Sequence, residues 1–239
     1  MNNDQKEKGH LHPINQVVDK IVSILVQMDF QVVSGPEIDN EYYNFDALNL
    51  PKDHPARDMQ DTFWLEKDSA TGKMEHLMRT QTSNIQIHFM ENNKPPFKIV
   101  APGKVYRYEA TDKTHEVQFH QIEGLVVGEN ITVANLKFTL NAFLKKLYGD
   151  DIEIRLRPSF FPFVEPGFEV DIKGPNGKWL EVLGAGMVHP NVLNNVGINP
   201  KKYTGFAFGL GIDRMVMVKY GIDDIRSLYN GDLRFVNQF

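Results

Sequence analysis

The chain has 239 residues, which at about 150 residues per domain corresponds to between one and two domains. Its 26 Lys and Arg residues against 31 Asp and Glu residues give a formal net charge of −5, so the surface as a whole is not a basic nucleic-acid footprint, although a local basic patch or a basic partner remains open. There is no cysteine, which excludes disulfides, thiolate nucleophiles and cysteine-ligated zinc. No run of 18 apolar residues occurs and the first residues are polar, unlike a signal peptide, so we expect a cytoplasmic protein with no membrane span.

The N-terminal third predicts one long helix followed by short strands. Residues 1–9 are predicted to be a disordered lead-in, and Pro13 is predicted to open a helix with one apolar face that extends to Met28. A short strand over 31–38 is broken at Gly35-Pro36, and residues 50–62 form a polar loop. Strands over 62–66 and 74–79 flank a turn, and Ser83 is the expected N-cap of a helix over 83–92.

The rest of the chain is rich in strands. We predict strands over 97–103, 103–109 and 118–127, a loop over 110–117 and a helix over 132–148. Further strands are expected over 152–158, 161–172, 178–188 and 205–210, the last running into a helix over 212–220. Long antiparallel strands with few helices between them predict an α+β fold and argue against a doubly wound parallel sheet.

Several familiar phosphate-binding and hydrolytic motifs are absent from the sequence. There is no Gly-Lys-Ser/Thr of a P-loop, no G-x-G-x-x-G that opens a helix after a strand, no G-x-S-x-G and no H-E-x-x-H. If the protein binds a nucleotide, side chains must therefore hold the phosphates.

The first candidate cluster lies in residues 103–124. In extended strands Arg107 and Glu109 would share one face, and Phe119 and Gln121 would share another. The cluster comprises Arg107, Glu109, His115, Phe119, Gln121 and Glu123. It could form the polar floor of a site, but an ordinary hairpin with solvated charges would show the same alternation.

The second cluster lies in residues 157–171. Phe161, Phe163 and Glu165 alternate, so two rings and a carboxylate would face one side and could wall a pocket for another ring. A core strand is the simpler alternative. Pro162 and Pro166 argue against a regular central strand, because each removes a backbone donor.

The third cluster is GFAFGLGIDR, residues 205–214. Its glycines permit close backbone approach, and Arg214 falls in the first turn of a helix, where a cation is unfavourable for the helix dipole and an anion would compensate. Glycines that serve only tight strand–helix packing are the equally weighted alternative.

Together these segments resemble the three signature motifs of class II aminoacyl-tRNA synthetases, with motif 1 at about 13–38, motif 2 at about 103–127 and motif 3 at about 205–220. Over residues 9–239 the chain is similar, in order and spacing, to the α-subunit family of bacterial phenylalanyl-tRNA synthetases. The segments that carry this resemblance are HPINQ, GPEID, NFDALN, HPARD, DTFWL, RTQTSN, THEVQFHQIEGLVV, RPSFFPFVEPG, EVLGAGMVHPNVL and GFAFGLGIDR.

The resemblance implies a catalytic domain over 10–239 in which an antiparallel sheet is flanked by helices. It implies ATP-dependent activation of L-phenylalanine to phenylalanyl-adenylate and transfer to tRNA(Phe), with Mg²⁺ and with a β subunit in a heterotetramer of two α and two β chains. It also implies that hydrolytic editing of mischarged tyrosine lies on another chain, because an apolar pocket rejects an added hydroxyl by only about 10²-fold.

The resemblance also assigns roles residue by residue. The implied catalytic residues are Arg107, Arg214 and His115. The implied ATP-binding residues are Arg107 on the α-phosphate, Phe119 and Arg214 on either side of adenine, His115 on the outer phosphates, and Glu109. The implied phenylalanine-binding residues are Ser83, Gln86, Gln121, Glu123, Phe161, Phe163, Val164, Ala207, Gly209, Trp64 and Gln81. Glu165 is the candidate Mg²⁺ ligand.

Two departures from the family pattern stand out. Asp213 occupies the position before the motif 3 arginine where Glu is usual, and a small shift of its hydrogen bonds is expected. The N-terminal coiled-coil arm that grips tRNA in the family does not appear in this sequence, through trimming or as a natural short form.

Two other functions stay open, namely a paralogue that adenylates an amino acid for another acceptor and a non-catalytic regulatory relative.

Overall fold

A seven-stranded sheet forms the centre of the fold. The computed structural model describes residues 9–58, 61–65, 76–174 and 177–239, except for the side chain of residue 58. The predicted lead-in therefore lies, apart from its last residue, outside the described residues, as does the predicted turn near 71–72.

The helices are α1 (Pro13–Val26), α2 (Glu41–Asn44), α3 (Pro55–Asp58), α4 (Ser83–Asn92), α5 (Val133–Tyr148), α6 (Pro190–Asn195), α7 (Ile212–Tyr220) and α8 (Leu233–Val236), with short 3₁₀ turns at Asp46–Leu48 and Ile225–Leu228. The strands are β1 (Gln31–Val32), β2 (Ile38–Asn40), β3 (His76–Met78), β4 (Phe97–Tyr106), β5 (Gln118–Gly128), β6 (Ile154–Phe161), β7 (Val164–Lys173), β8 (Trp179–Val188) and β9 (Thr204–Gly211). Among the described helices, none is long and apolar enough to cross a membrane.

The large sheet has the strand order β1-β4-β5-β9-β8-β7-β6, and β2 pairs with β3 in a separate ribbon. Every neighbouring pair in the large sheet is antiparallel except β1 with β4. The predicted α+β fold with an antiparallel sheet flanked by helices is confirmed, with this one parallel pair added.

Both faces of the sheet are covered. Along β5, Ile122 and Val126 join the core under α1, α5 and α7, while Leu125 and Val127 join a second core that includes Ile87 of α4. This is the period-two alternation of a strand buried on both sides, and each fully buried Ile or Leu contributes about 1.5–3 kcal/mol. The sheet is thus held rigidly where β5 carries the candidate polar side chains.

Four local predictions are corrected. The two strands expected to meet at Gly103 are one continuous strand, β4. Pro102 is tolerated within it because β1 pairs only with Ile99 and Val100. Pro102 therefore lies at an open edge of the sheet, where its missing N–H breaks no hydrogen bond. Arg107 and Glu109 therefore follow the strand and do not alternate along it. The N-cap of α4 is Thr82, and Ser83 is its first helical residue, so the predicted N-cap was one position late.

The other two corrections concern 62–66 and 161–172. Of the described residues over 62–65, only Trp64 forms a bridge, with Leu77, where a strand was expected. The strand expected over 161–172 is interrupted by a turn at 162–163, so that Phe161 ends β6 and Val164 begins β7. The pairing of β7 also shifts between Val164 and Gly167, where Pro166 has no N–H to donate.

Candidate active site

Two cavities open on the same stretch of the sheet and share a wall. The larger has a volume of about 760 Å³ and the smaller about 450 Å³. The side chains of Arg107 and Gln121 line both, together with Glu181, Gly184 and Gly209. A group bound in one cavity can therefore meet a group bound in the other at this wall.

The large cavity presents an aromatic ring and two guanidinium groups. Phe119 and Arg214 line it, and the guanidinium of Arg107 lies 4.9 Å from the centre of the Phe119 ring. Among the described residues, neither Arg107 nor Arg214 forms a salt bridge or donates a side-chain hydrogen bond to protein. Two guanidinium groups that form no salt bridge with the described residues, in a cavity that also presents an aromatic ring, are suited to a ligand that has both an aromatic base and phosphates.

One buried carboxylate connects the strand of Phe119 to the helix of Arg214. Asp213 is 2% exposed and accepts a 2.6 Å hydrogen bond from the backbone N–H of His120 and another from the hydroxyl of Tyr229. Burial raises the pKa of the Asp213 carboxyl. The aspartate thus still reaches two partners although its side chain is shorter than the glutamate usual in the family.

The small cavity is apolar at one end. The rings of Phe161 and Phe163 lie 6.0 Å apart at 26°, and Val164 and Ala207 also belong to the apolar lining. Gly184 lets Phe161 approach, because a Cβ added there would lie 3.1 Å from Cζ of that ring. The shape and polarity of this end suit an aromatic side chain.

The other end of the small cavity is polar. Glu123 accepts hydrogen bonds from the Ser83 hydroxyl at 2.6 Å and from the Gln86 amide at 2.7 Å, and burial raises the pKa of its carboxyl to about 7. Gln121 accepts a 3.3 Å bond from the N–H of Thr82. Gln81, also in the lining, donates at 3.3 Å to the backbone carbonyl of residue 44. This end suits a small cationic group such as an α-ammonium.

Four residues singled out from the sequence are not among the described residues that line either cavity. Trp64 packs with its ring 6.4 Å from that of Phe45. Glu109 lies half-buried after β4, and His115 lies exposed in the following loop, where a hydrogen bond from its ring to Asp112 raises its pKa.

The fourth is Glu165, whose expected orientation is wrong. Its side chain is 76% exposed and lies 3.4 Å from His189, whereas Phe161 and Phe163 line the small cavity. Among the described residues no group of three or more His, Asp or Glu could hold a metal ion. Since Mg²⁺ is commonly held by one or two carboxylates with substrate phosphates and water, a single exposed carboxylate fits such an ion only if a nucleotide brings it.

Some lining residues were not predicted. Leu48, Met90, Val188 and Val192 contribute to the apolar wall, and Glu169 and Glu181 contribute carboxylates. Among the lining residues that were not predicted, Gly184 carried a signal, since glycine inside a strand often marks a close approach by another group.

Comparison with known proteins identifies the architecture that carries these cavities. A model of the family described as tRNA synthetases class II core domain (F) matches residues 1–239. The chain belongs to the class II tRNA synthetase core family. The structure of pyrrolysyl-tRNA synthetase from Desulfitobacterium hafniense shares the fold, with a TM-score of 0.70 at 18% identity, over 93% of this chain and 75% of that one.

Among class II synthetases, the chain is similar to curated proteins named phenylalanine–tRNA ligase alpha subunit. It is 54% identical to the protein of Proteus mirabilis and 53% identical to one from Escherichia coli, each over 233 residues. The alignments cover 98% of this chain and 69% of each relative. The resemblance drawn from the motifs is thereby confirmed.

Proposed function

We propose that this chain is the catalytic α subunit of a phenylalanine–tRNA ligase, which activates L-phenylalanine with ATP and transfers it to tRNA(Phe). The observation that carries the proposal is the wall shared by the two cavities at Arg107 and Gln121. A nucleotide in the large cavity and an amino acid in the small one would meet there, and bringing two reactants together is itself a large part of catalysis. The names of the relatives supply the amino acid and the tRNA.

The large cavity takes ATP. Adenine stacks on Phe119 and is covered from the other side by Arg214, and Arg107 binds the α-phosphate. The phenylalanine carboxylate attacks the α-phosphorus and the bond to pyrophosphate breaks, so negative charge grows on the α-phosphate oxygens in the transition state. The Arg107 guanidinium stabilises that charge where it develops. His115 and Glu109 contact the nucleotide from the motif 2 loop, and Mg²⁺ would supply further charge neutralisation on the phosphates when it is bound; Glu165 lines neither cavity and is not proposed as its ligand.

The small cavity takes phenylalanine. Phe161 and Phe163 receive the substrate ring, and each well-placed aromatic pair contributes about 0.5–1.5 kcal/mol beyond area burial. Val164, Ala207 and Gly209 bound the ring pocket. The α-ammonium binds at the polar end, to the Glu123 carboxylate and Gln121. Ser83 and Gln86 hold Glu123 by hydrogen bonds, Gln81 lines the same cavity, and Trp64 packs on Phe45 in the neighbouring core.

The partners are a β subunit, in a heterotetramer of two α and two β chains, and tRNA(Phe), and the complex works in the cytoplasm. A net charge of −5 leaves most of the tRNA contact to other chains or segments.

Charging of tRNA(Phe) tests the proposal. The chain is co-expressed with its β partner, and labelled phenylalanine, tyrosine and leucine are offered with ATP and tRNA(Phe). Stable charging with phenylalanine alone is expected. Adenylate formation without charging would favour the paralogue with another acceptor, and neither activity with phenylalanine would contradict the proposal.

A further inference from the structure

The C-terminal segment contributes a tyrosine to a closed hydrogen-bonded ring beneath the large cavity. Tyr229 follows the 3₁₀ turn Ile225–Leu228 and lies outside the three motif segments. Its hydroxyl donates to Oδ1 of Asp213 and lies 3.1 Å from Nδ1 of His120. Because one hydroxyl has one proton, and that proton goes to Asp213, the His120 ring must be the donor to Tyr229. The ring closes where the backbone N–H of His120 donates to the same aspartate at 2.6 Å.

This ring lies where the sheet ends. The last pair between β5 and β9 is Gln121 with Gly211, so neither Phe119 nor His120 is paired with β9. The hydrogen bond from His120 N–H to Asp213 provides one further connection between β5 and the residues that follow β9. Phe119 and Arg214 are the immediate neighbours of the two bonded residues. The Asp213 carboxylate therefore connects the backbone next to Phe119 with the helix that carries Arg214.

Tyr229 is itself firmly placed. Its ring stacks on that of His120 at 6.3 Å and 9°, and the carbonyl of the preceding residue, Leu228, lies 3.0 Å from Nε2 of His12 at the start of α1. Its hydroxyl supplies one of the two donors to a carboxylate that is 2% exposed. Removing that hydroxyl leaves a buried carboxylate oxygen without its donor, which displaces the carboxylate or protonates it.

We infer that Tyr229 is a positioning residue for the nucleotide site, holding Asp213 so that Phe119 and Arg214 stand at the spacing that clamps adenine. The inference rests on the proposed function for the identity of the ligand. The inference predicts different effects on the binding of the two substrates. The polar end that receives phenylalanine is formed by Gln121 and Glu123. Both residues pair with β4 on one side and β9 on the other, and neither belongs to the hydrogen-bonded ring.

The test compares Tyr229→Phe with the unmodified chain, each co-purified with its β partner. The KM values for ATP and for phenylalanine are measured in phenylalanine-dependent ATP–pyrophosphate exchange, and ATP affinity is measured by calorimetry. Loss of one donor to a buried charged group predicts a rise of about tenfold in the KM and the dissociation constant for ATP, with the KM for phenylalanine changed less than about twofold. Tyr42→Phe is the matched control, since its hydroxyl donates to the carbonyl of Asn195 at 3.0 Å, in a different part of the molecule.

Asp213→Asn is the second variant, in case Tyr229→Phe does not fold, and it also raises the KM for ATP. Because the two residues act through one another, the double variant should be no worse than Asp213→Asn alone. Equal changes in both KM values, an unchanged ATP affinity, or additive effects in the double variant would overturn the inference. An unmodified chain that binds ATP but shows no exchange would instead overturn the proposed function, and calorimetry would still decide the role of Tyr229.

Discussion

The hydroxyl of Ser83 donates a 2.6 Å hydrogen bond to the carboxylate of Glu123, 40 residues further along the chain. Ser83 is the first residue of α4, and Glu123 lies in the middle of β5. Burial raises the pKa of the Glu123 carboxyl to about 7, and the bond from Ser83 is the largest of the effects that oppose this rise. The pair places a carboxyl group that is only partly ionised at neutral pH at the polar end of the small cavity.

The first prediction concerns the pH dependence of phenylalanine binding. Binding an α-ammonium requires Glu123 to be ionised, and its pKa of about 7 means that this is incomplete below neutrality. The KM for phenylalanine should therefore fall as pH rises from 6 to about 8, because the ionised fraction grows. Exchange assays across that range measure it. Glu123→Gln, which cannot ionise, should raise the KM and flatten its pH profile; a profile in the variant as steep as in the unmodified protein would show that another group titrates.

The same carboxyl predicts how stability depends on pH without ligands. Its pKa is 4.5 in the unfolded chain and about 7 in the folded one, so between these values the folded state binds more protons. The free energy of unfolding contributed by this group is then fully present below pH 4.5 and is lost as pH rises through about 7. Denaturant melts at several pH values should show a fall in the unmodified protein that is smaller in Glu123→Gln. Equal pH dependence in the two proteins would refute this origin.

Ala207 lines the small cavity, and we expect it to set the depth of the proposed ring pocket. Ala207→Gly removes one methyl group from the lining of the small cavity and should admit para-chlorophenylalanine, while activity with phenylalanine is kept. Adenylate formation with the analogue, measured beside phenylalanine, tests this. Continued exclusion of the analogue would mean that other residues bound the pocket at the para position.

A glycine pair on β5 tests the packing beneath the site. A Cβ added at Gly124 would lie 2.2 Å from the ring of buried Phe208, whereas one at Gly128 would have its nearest neighbour at 3.5 Å. Gly124→Ala should therefore lower the free energy of unfolding by about 1–3 kcal/mol, since overpacking forces neighbours to move. Gly128→Ala is the matched control in the same strand and should change stability by less than about 0.5 kcal/mol. Similar losses in the two variants would contradict the steric explanation.

Local signals in the sequence predicted most elements but not the contacts that assemble the site. Apolar spacing predicted α1 closely, because a helical face repeats within a few residues. The continuation of β4 through Pro102 was missed, since its tolerance depends on β1 being too short to pair there. The bond between Asp213 and Tyr229 was missed because it joins segments with no shared local pattern.

The individual site residues could be predicted from the sequence only through motif spacing and resemblance. Spacing alone predicted that Glu165 shares one face of a strand with Phe161 and Phe163. The break between β6 and β7 ends that alternation, and Glu165 is exposed to solvent. Spacing also gave no indication that Arg107 and Gln121 line two cavities at once, because that depends on how β8 and β9 lie beside β5.

The most direct test of the central claim is phenylalanine-dependent ATP–pyrophosphate exchange by the chain with its β partner, compared with Arg107→Ala. The account predicts exchange in the unmodified complex and a loss of at least about 10²-fold in the variant, because the charge that develops on the α-phosphate would lose its guanidinium. A folded Arg107→Ala complex that keeps its exchange rate, or an unmodified complex that shows none, would contradict it.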